Sequence, residues 1–334
     1  MKDYLLFALK RIVQLLAVIL AGCSIAFLIA HLSPISPVEQ IIMQVTGRSA
    51  ASPEAIENLR AALTEQFGLD VPLWQQYLSF LSRLVVLDFG PALIAFPTPA
   101  MDLVRLALPW TVGLLTVSTV ITWLLGNIFG ALAGYFQNSR LLKAFGIIAI
   151  GIQPIPYYIV AFLLVIIFGF IWPILPISGG FAMNVTPGYT WQFLLSIAQY
   201  AILPSFALVL VGIGTWFLGM RALVSNVITE DYVTYAELGG VRQGRIVSSY
   251  VFRNALVPQL TALAMALGGI FSGTVITEQV FTYPGLGSLL IRAVNGGDTA
   301  VVMAISCISI ISVAGAIFII DMIHPLLDPR VKVE

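Results

Sequence analysis

Six stretches of this chain are long, apolar and free of Asp, Glu, Lys, Arg and His: Ile12–Ala30, Trp110–Gly134, Ala144–Ile171, Ile197–Gly219, Leu256–Thr277 and Val301–Ile320. A helix crosses a bilayer core with about 20 apolar residues, so each stretch reads as a membrane span. Backbone groups in lipid must find their partners within a helix or a closed barrel, which leaves few folds open. The expected class is an all-α membrane protein with six transmembrane helices. Composition agrees: of 334 residues, 59% are apolar and only 10% charged, against about 25% charged in soluble domains. Sixteen Lys and Arg balance 16 Asp and Glu. An ordinary soluble enzyme, a disordered chain and a nucleic-acid binder are thereby excluded. Cys23 and Cys307 lie inside apolar runs without metal-ligand or disulfide spacing and read as small buried hydrophobes.

Basic residues set the expected orientation. With the N-terminus in the cytoplasm, the inner segments hold Lys2, Lys10, Arg11, Arg140, Lys143, Arg221, Arg242, Arg245, Arg253, Arg330 and Lys332. The outer segments hold Arg48, Arg60, Arg83, Arg105 and Arg292. Short segments decide the matter: Tyr135–Lys143 carries Arg140 and Lys143 and no acid, while Trp172–Ser196 carries no formal charge. An N-in, C-in topology follows. The first apolar run, about 19 residues, exceeds the usual 7–15 of a signal-peptide core, so it is expected to remain as a helix. The long outer segment from His31 to Leu108 is expected to contain a helix near Pro53–Gln66, with Pro53 at a favoured first-turn position after Ser52. Trp172, Tyr189 and Trp191 read as interfacial anchors. Pro154 and Pro156 are expected to kink the third span by removing backbone donors.

The inner loop from Arg221 to Ala255 concentrates polar residues. Glu230 and Asp231 precede Tyr232–Leu238, a run with helical potential whose positive end the acids suit. Gly239 and Gly240 supply a left-handed stop. Arg242, Arg245 and Arg253 follow, and Pro258 opens the next span. This reads as a short helix, a glycine turn and a second short helix, serving either as a solvated loop or as a docking element for a cytoplasmic partner.

No energy source is visible in the chain itself. It has no G-x-x-x-x-G-K-[ST] phosphate loop and no H-E-x-x-H pair. The six spans lack the ionisable relay usual in a proton-coupled carrier. His31 and His324 fall on opposite sides of the membrane, as do Asp298 and Asp321. Three readings remain: a transport path energised from elsewhere, a stand-alone secondary carrier or channel, and a scaffold without a path.

Several segments resemble the membrane-spanning permeases of ABC importers for dipeptides and oligopeptides, of the subtype with a long outer loop after the first helix. Arg11 leads a helix ending in His31-Leu32-Ser33-Pro34-Ile35-Ser36-Pro37, where the family often has Leu-x-Pro-Gly-Asp-Pro, so Ile35 and Ser36 depart from it. Phe67-Gly68-Leu69-Asp70-Val71-Pro72-Leu73-Trp74-Gln75-Gln76-Tyr77, Asp88-Phe89-Gly90 and Leu108-Pro109-Trp110-Thr111 match in order. In the inner loop, Asp231-Tyr232-Val233, Ala236, Gly240 and Arg253-Asn254-Ala255-Leu256-Val257-Pro258 resemble the family's cytoplasmic loop. Thr234 and Tyr235 stand where its Glu and first Ala are expected. Glu278-Gln279-Val280-Phe281-Thr282-Tyr283-Pro284-Gly285-Leu286-Gly287 and Leu327-Asp328-Pro329-Arg330 complete a match over nearly the whole chain.

The resemblance implies the type I ABC importer transmembrane fold. It divides the chain into a first helix with its long periplasmic segment (1–107), a transport core (108–324) and a cytoplasmic tail (325–334). It implies a permease subunit in the bacterial inner membrane that is not itself an enzyme. Its partners would be a second homologous permease, two ATP-hydrolysing subunits that bind ATP and Mg, and a periplasmic solute-binding protein. The chain itself would hold no cofactor or metal. Relatives in this family carry peptides, oligosaccharides, opines or metal chelates. The ATPase-coupling loop would comprise Glu230, Asp231, Tyr232, Ala236, Glu237, Leu238, Gly240, Arg242 and Arg245. Pro154, Pro156 and Glu278 are candidates for the path or its gate, with a structural cap as the other reading of Glu278.

Overall fold

A computed structural model describes residues 2–32, 38–39, 42, 52–66, 70–272 and 274–327. Outside the described residues lie Ser33–Pro37, Arg48, Phe67–Leu69 and the tail motif from Asp328, with Arg330 and Lys332. Among the described residues the secondary structure is helical, with one isolated antiparallel bridge pairing Pro91 and Pro99. Four helices are long and apolar enough to cross a membrane: Leu6–Leu32 within α1 (Lys2–Leu32), α4 (Ala100–Tyr135), α7 (Trp191–Val227) and Thr299–Met322 within α13 (Thr299–Leu327). The pair α5 (Arg140–Ile152) and α6 (Tyr157–Val165, continued by a π-turn over Ile166–Ile171) passes the same test together.

The third span is broken rather than kinked. Its two halves meet at 104° across Gln153–Pro156. Pro154 and Pro156 both lack an N–H; Gln153 keeps helical backbone at φ -50 and ψ -42, and the chain leaves the helix by Pro156, at φ -56 and ψ 137, so two prolines two apart stop the helix where one would bend it. The fifth expected span is also divided. An unbroken helical run begins at α9 (Gln243–Arg245), passes through a π-turn at Ile246–Phe252 into α10 (Arg253–Gly268), and tightens to a 3₁₀ turn at Gly269–Ser272. The short helix α11 (Val275–Val280) then begins separately. Local caps follow the sequence closely. The helix α2 (Pro53–Gln66) starts where Ser52 Oγ accepts from Ala55 N at 3.3 Å. Ser139 and Thr190 cap α5 and α7 in the same way.

The chain forms two compact units. The first joins Met1–Pro109 with Gly285–Phe318. It contains α1, α2, the amphipathic helix α3 (Leu73–Val85), α12 (Leu286–Asn295) and most of α13. One core gathers Val104, Ala107, Leu289, Ala293, Val301 and Ile305. Buried Asp298 organises its edge: Oδ1 accepts from Val301 N, capping α13, and Oδ2 accepts from Ile94 N, both at 3.0 Å. The Asp88-Phe89-Gly90 motif is a turn of similar logic. Asp88 accepts from Arg83 Nε at 3.0 Å and from Gly90 N at 2.9 Å, and Gly90 sits at φ +84. The Arg83 guanidinium, followed by the Gly90 amide, holds the Asp88 carboxyl below its ordinary range.

A second core in this unit brings the free, buried Cys23 and Cys307 together with Phe27 and Phe80. A membrane-permeant thiol oxidant is therefore expected to join α1 and α13 covalently. Proteolysis and mass spectrometry would find the Cys23–Cys307 linkage, and its absence under conditions that oxidise an exposed control pair would reject this packing.

The other unit, Trp110–Pro284 with the end of α13, is built around α7. One core gathers Leu114, Ala161, Leu203, Ala207, Phe281 and Tyr283. A second lies at the far end of α7 and includes Met220 and Val224. Gly126, Gly130 and Gly134 form a stripe on α4 against Trp216–Val224 of α7, and Gly214 of α7 rests against Ala149 O of α5. Small residues at such spacing let membrane helices approach to backbone contact.

Candidate functional site

The end of α7 leads through a tight turn into α8 (Asp231–Leu238). Thr229 Oγ1 donates to Asn226 O at 2.7 Å, and Val233 N to Glu230 O at 3.0 Å. Glu230 occupies the cap position in extended conformation, and Asp231 stands in the first turn facing the helix's positive end. Two reciprocal bonds close the other end: Gly240 N donates to Glu237 O at 3.0 Å, and Val241 N to Ala236 O at 3.1 Å. This is a Schellman stop. Gly240 provides its left-handed residue at φ +72 with open space around its Cα, so the glycine is required by conformation and not by crowding.

Two residues fix the helix against the rest of its unit. Val233 and Ala236 are buried in the core that holds Met220, Val224, Ile246, Val251 and Ala255. The opposite side is open. Tyr235 is 72% exposed and Leu238 80% exposed. Tyr232 is exposed at its edge, where its hydroxyl accepts from Asn254 Nδ2 at 2.9 Å. Glu230, Asp231 and Glu237 are exposed around these groups, as are Arg242 at the cap of α9 and Arg245 at its end. The result is a short, rigid helix that presents two apolar side chains between acidic and basic flanks. Beside it lies an open hollow of about 710 Å³, lined by Tyr135, Phe136, Gln137, Asn138, Ser139, Leu142, Ile228 and Gln243.

The nine loop residues expected from the sequence thus fall on one segment but not on one face. Ala236 points into its own unit, while Tyr235, absent from that set, contributes exposed apolar surface. The period of the run Tyr-Val-Thr-Tyr-Ala-Glu-Leu is helical on either assignment, and only the packing of Val233 against α7 and α10 decides which side is inward.

Pro154, Pro156 and Glu278 lie elsewhere. The two prolines stand in the break between α5 and α6, whose Gln153 Nε2 donates to Thr215 Oγ1 of α7 at 3.2 Å. Glu278, in α11, is fully buried, and its carboxylate accepts from Thr111 Oγ1 at 2.7 Å. Its carbonyl accepts from Tyr283 N at 2.8 Å. An aromatic group surrounds this point: Trp110 packs edge-on to Tyr283 at 5.7 Å and stacks with Phe181 at 6.0 Å. Burial, reinforced by the Glu278 charge, pushes the Tyr283 phenol up to about 12. The carboxylate is therefore an internal tie from α11 to α4, with Thr111 as a partner that sequence spacing gave no means of finding. Trp172, Tyr189 and Trp191 are all exposed. Among the described residues no three His, Cys, Asp or Glu side chains cluster as metal ligands would.

Comparison with known proteins bears on what this arrangement serves. The family model for the binding-protein-dependent transport system inner membrane component matches residues 126–333. The dipeptide transport system permease protein DppB of Lactococcus lactis subsp. cremoris is 25% identical over 328 residues, covering 98% of this chain and 99% of that protein. The oligopeptide transport system permease protein AppB of Bacillus subtilis is 25% identical over 326 residues, with 98% and 99% covered. The probable D,D-dipeptide transport system permease protein DdpB of Escherichia coli is 29% identical over 332 residues, with 95% and 94% covered.

Proposed function

From the premise that the chain belongs to the family of binding-protein-dependent transport system inner membrane components, we propose that it is a permease subunit of an ATP-driven importer for peptides. It is a multi-pass inner-membrane protein of the type I importer fold, and it works with other subunits. A second permease would complete the path, two ATPase subunits would bind ATP and Mg and hydrolyse the nucleotide, and a periplasmic binding protein would deliver the solute. With the N-terminus inside, α8 faces the cytoplasm as a coupling helix. The observation that carries this reading is the form of that helix. Val233 and Ala236 lock it to the core at the end of α7, so a push on Tyr235 and Leu238 is transmitted to a membrane helix and not absorbed by a loose loop.

Peptide transport rests on the roles of the relatives matched over nearly their whole length. Six apolar stretches without ionisable residues favour a partner-driven path over a stand-alone carrier. Reconstitution decides between the two. Vesicles holding the whole assembly should take up peptide only with ATP inside the ATPase compartment, and vesicles holding this chain alone should take up none. Gradient-driven uptake by the chain alone would overturn the proposal.

A further inference from the structure

The helix α3 belongs to the long segment that the sequence assigns to water, yet only one of its three faces suits water. Tyr77, Phe80, Leu81 and Leu84 face the core that holds Phe27. Phe80 stacks on Phe27 of α1 at 5.1 Å between ring centroids, and Tyr77 Oη and Ser24 Oγ share a hydrogen bond at 2.6 Å. A polar arc carries Gln75, Ser79, Ser82 and Arg83. The remaining stripe is apolar and open. Trp74, Leu78 and Val85 recur at helical spacing, and Trp74 is 62% and Val85 84% exposed. The following residue, Val86, is exposed as well.

A helix with one apolar face packed, one apolar face bare and one polar face has three solvents to satisfy. The first is protein and the third is water. The second is settled by what α3 rests on. Its partner α1 is itself a membrane-spanning helix, which leaves Leu16, Leu20 and Leu28 exposed while contacting α3 through neighbouring positions. In a membrane protein those leucines meet acyl chains, and α3 packs on this same lipid-facing helix through Ser24 and Phe27. Tryptophan on such a stripe is the residue that settles at the headgroup boundary, and a strong apolar face opposite a polar one is a feature of helices lying in the interface.

We propose that α3 is a membrane-interfacial helix whose Trp74, Leu78 and Val85 are seated among lipid acyl chains beside α1, with Ser79, Ser82 and Arg83 turned to the headgroups and water. The proposal rests on the membrane location of the chain and not on the solute it carries.

Spin labels placed through Leu78→Cys and, separately, Ser82→Cys test it in the full chain reconstituted in phospholipid nanodiscs, with the unsubstituted chain as the control for Cys23 and Cys307. Collision with oxygen should exceed collision with a water-soluble nickel chelate at position 78, and the order should reverse at position 82. Equal nickel access at both positions would overturn the proposal. So would shielding of position 78 from both reagents, which would mark a protein partner on this face. A second measurement is independent of labelling. In vesicles of bromine-labelled phosphatidylcholine, Trp74→Phe should remove a quenched component from the tryptophan emission. Loss of an unquenched component instead would also overturn it.

Discussion

Gly130→Leu should yield little or no folded protein in the membrane, whereas Gly113→Leu, the same substitution elsewhere on α4, should be tolerated. The difference is geometric. A Cβ on Gly130 would lie 2.5 Å from Phe217 O and 3.0 Å from Met220 Cβ. Its neighbours in the stripe are as tight: a Cβ on Gly126 would meet Trp216 Cβ at 2.4 Å, and one on Gly134 would meet Val224 Cβ at 2.8 Å. The obstruction at Gly130 is a backbone oxygen, which cannot rotate aside, so α4 and α7 must separate. Separation undoes the contacts along the whole stripe and loosens α7, against which α5 and α6 also pack. Overpacking a well-filled site costs about 1–3 kcal/mol and occasionally more, and an obstruction that no rotamer relieves lies at the upper end, a large share of a total of about 5–15 kcal/mol. Nothing lies within 4 Å of a Cβ on Gly113. Monodisperse yield after detergent extraction, with the thermal midpoint of what survives, reads the effect. Equal behaviour of the two variants would reject the close α4–α7 contact.

That stripe illustrates how far sequence alone reaches. A spacing of four between glycines is visible at Gly126, Gly130 and Gly134, but the helix they face is a property of tertiary structure. Local signals carry well. The cap at Ser52 and the glycine stop at Gly240 rely on hydrogen bonds within a few residues, and both helices occur where those residues place them. Apolar length carries less well. Pro154 and Pro156 read as a kink in one span because hydropathy is continuous across them, while the backbone turns by 104°. The run Leu256–Thr277 reads as one span, yet the structure starts its helix in the polar loop, threads a π-turn through Ile246–Phe252 and stops near Gly269. Side-chain roles that depend on distant partners are hidden altogether. Asp298 joins Ile94 to the start of α13 across 204 positions of sequence, and Glu278 meets Thr111 across 167.

The coupling surface yields the second large effect. Leu238→Arg should leave insertion, yield and thermal midpoint at parental values while reducing ATP-driven peptide uptake by about two orders of magnitude. Leu238 is four-fifths exposed, and no core in its unit includes it, so its replacement asks nothing of the fold. At a docked surface the same side chain would be enclosed. Truncating a well-packed interface residue costs about 2–4 kcal/mol, and about 1.4 kcal/mol is a tenfold change. An arginine adds a desolvated charge to that loss. Tyr235→Arg should act in the same direction. Ala236→Arg separates the two roles of the helix, because Ala236 packs with Val224 and Ile246; it should lower yield and stability before any question of coupling arises. Gly240→Val should fall between them, since a left-handed β-branched residue costs about 1–2 kcal/mol and unwinds the stop without crowding a neighbour. The measurement is uptake and peptide-stimulated ATP hydrolysis in vesicles, normalised to the amount of chain inserted. Parental uptake by Leu238→Arg would remove α8 from the energy path and leave it a solvated loop helix, even though the chain's family would stand.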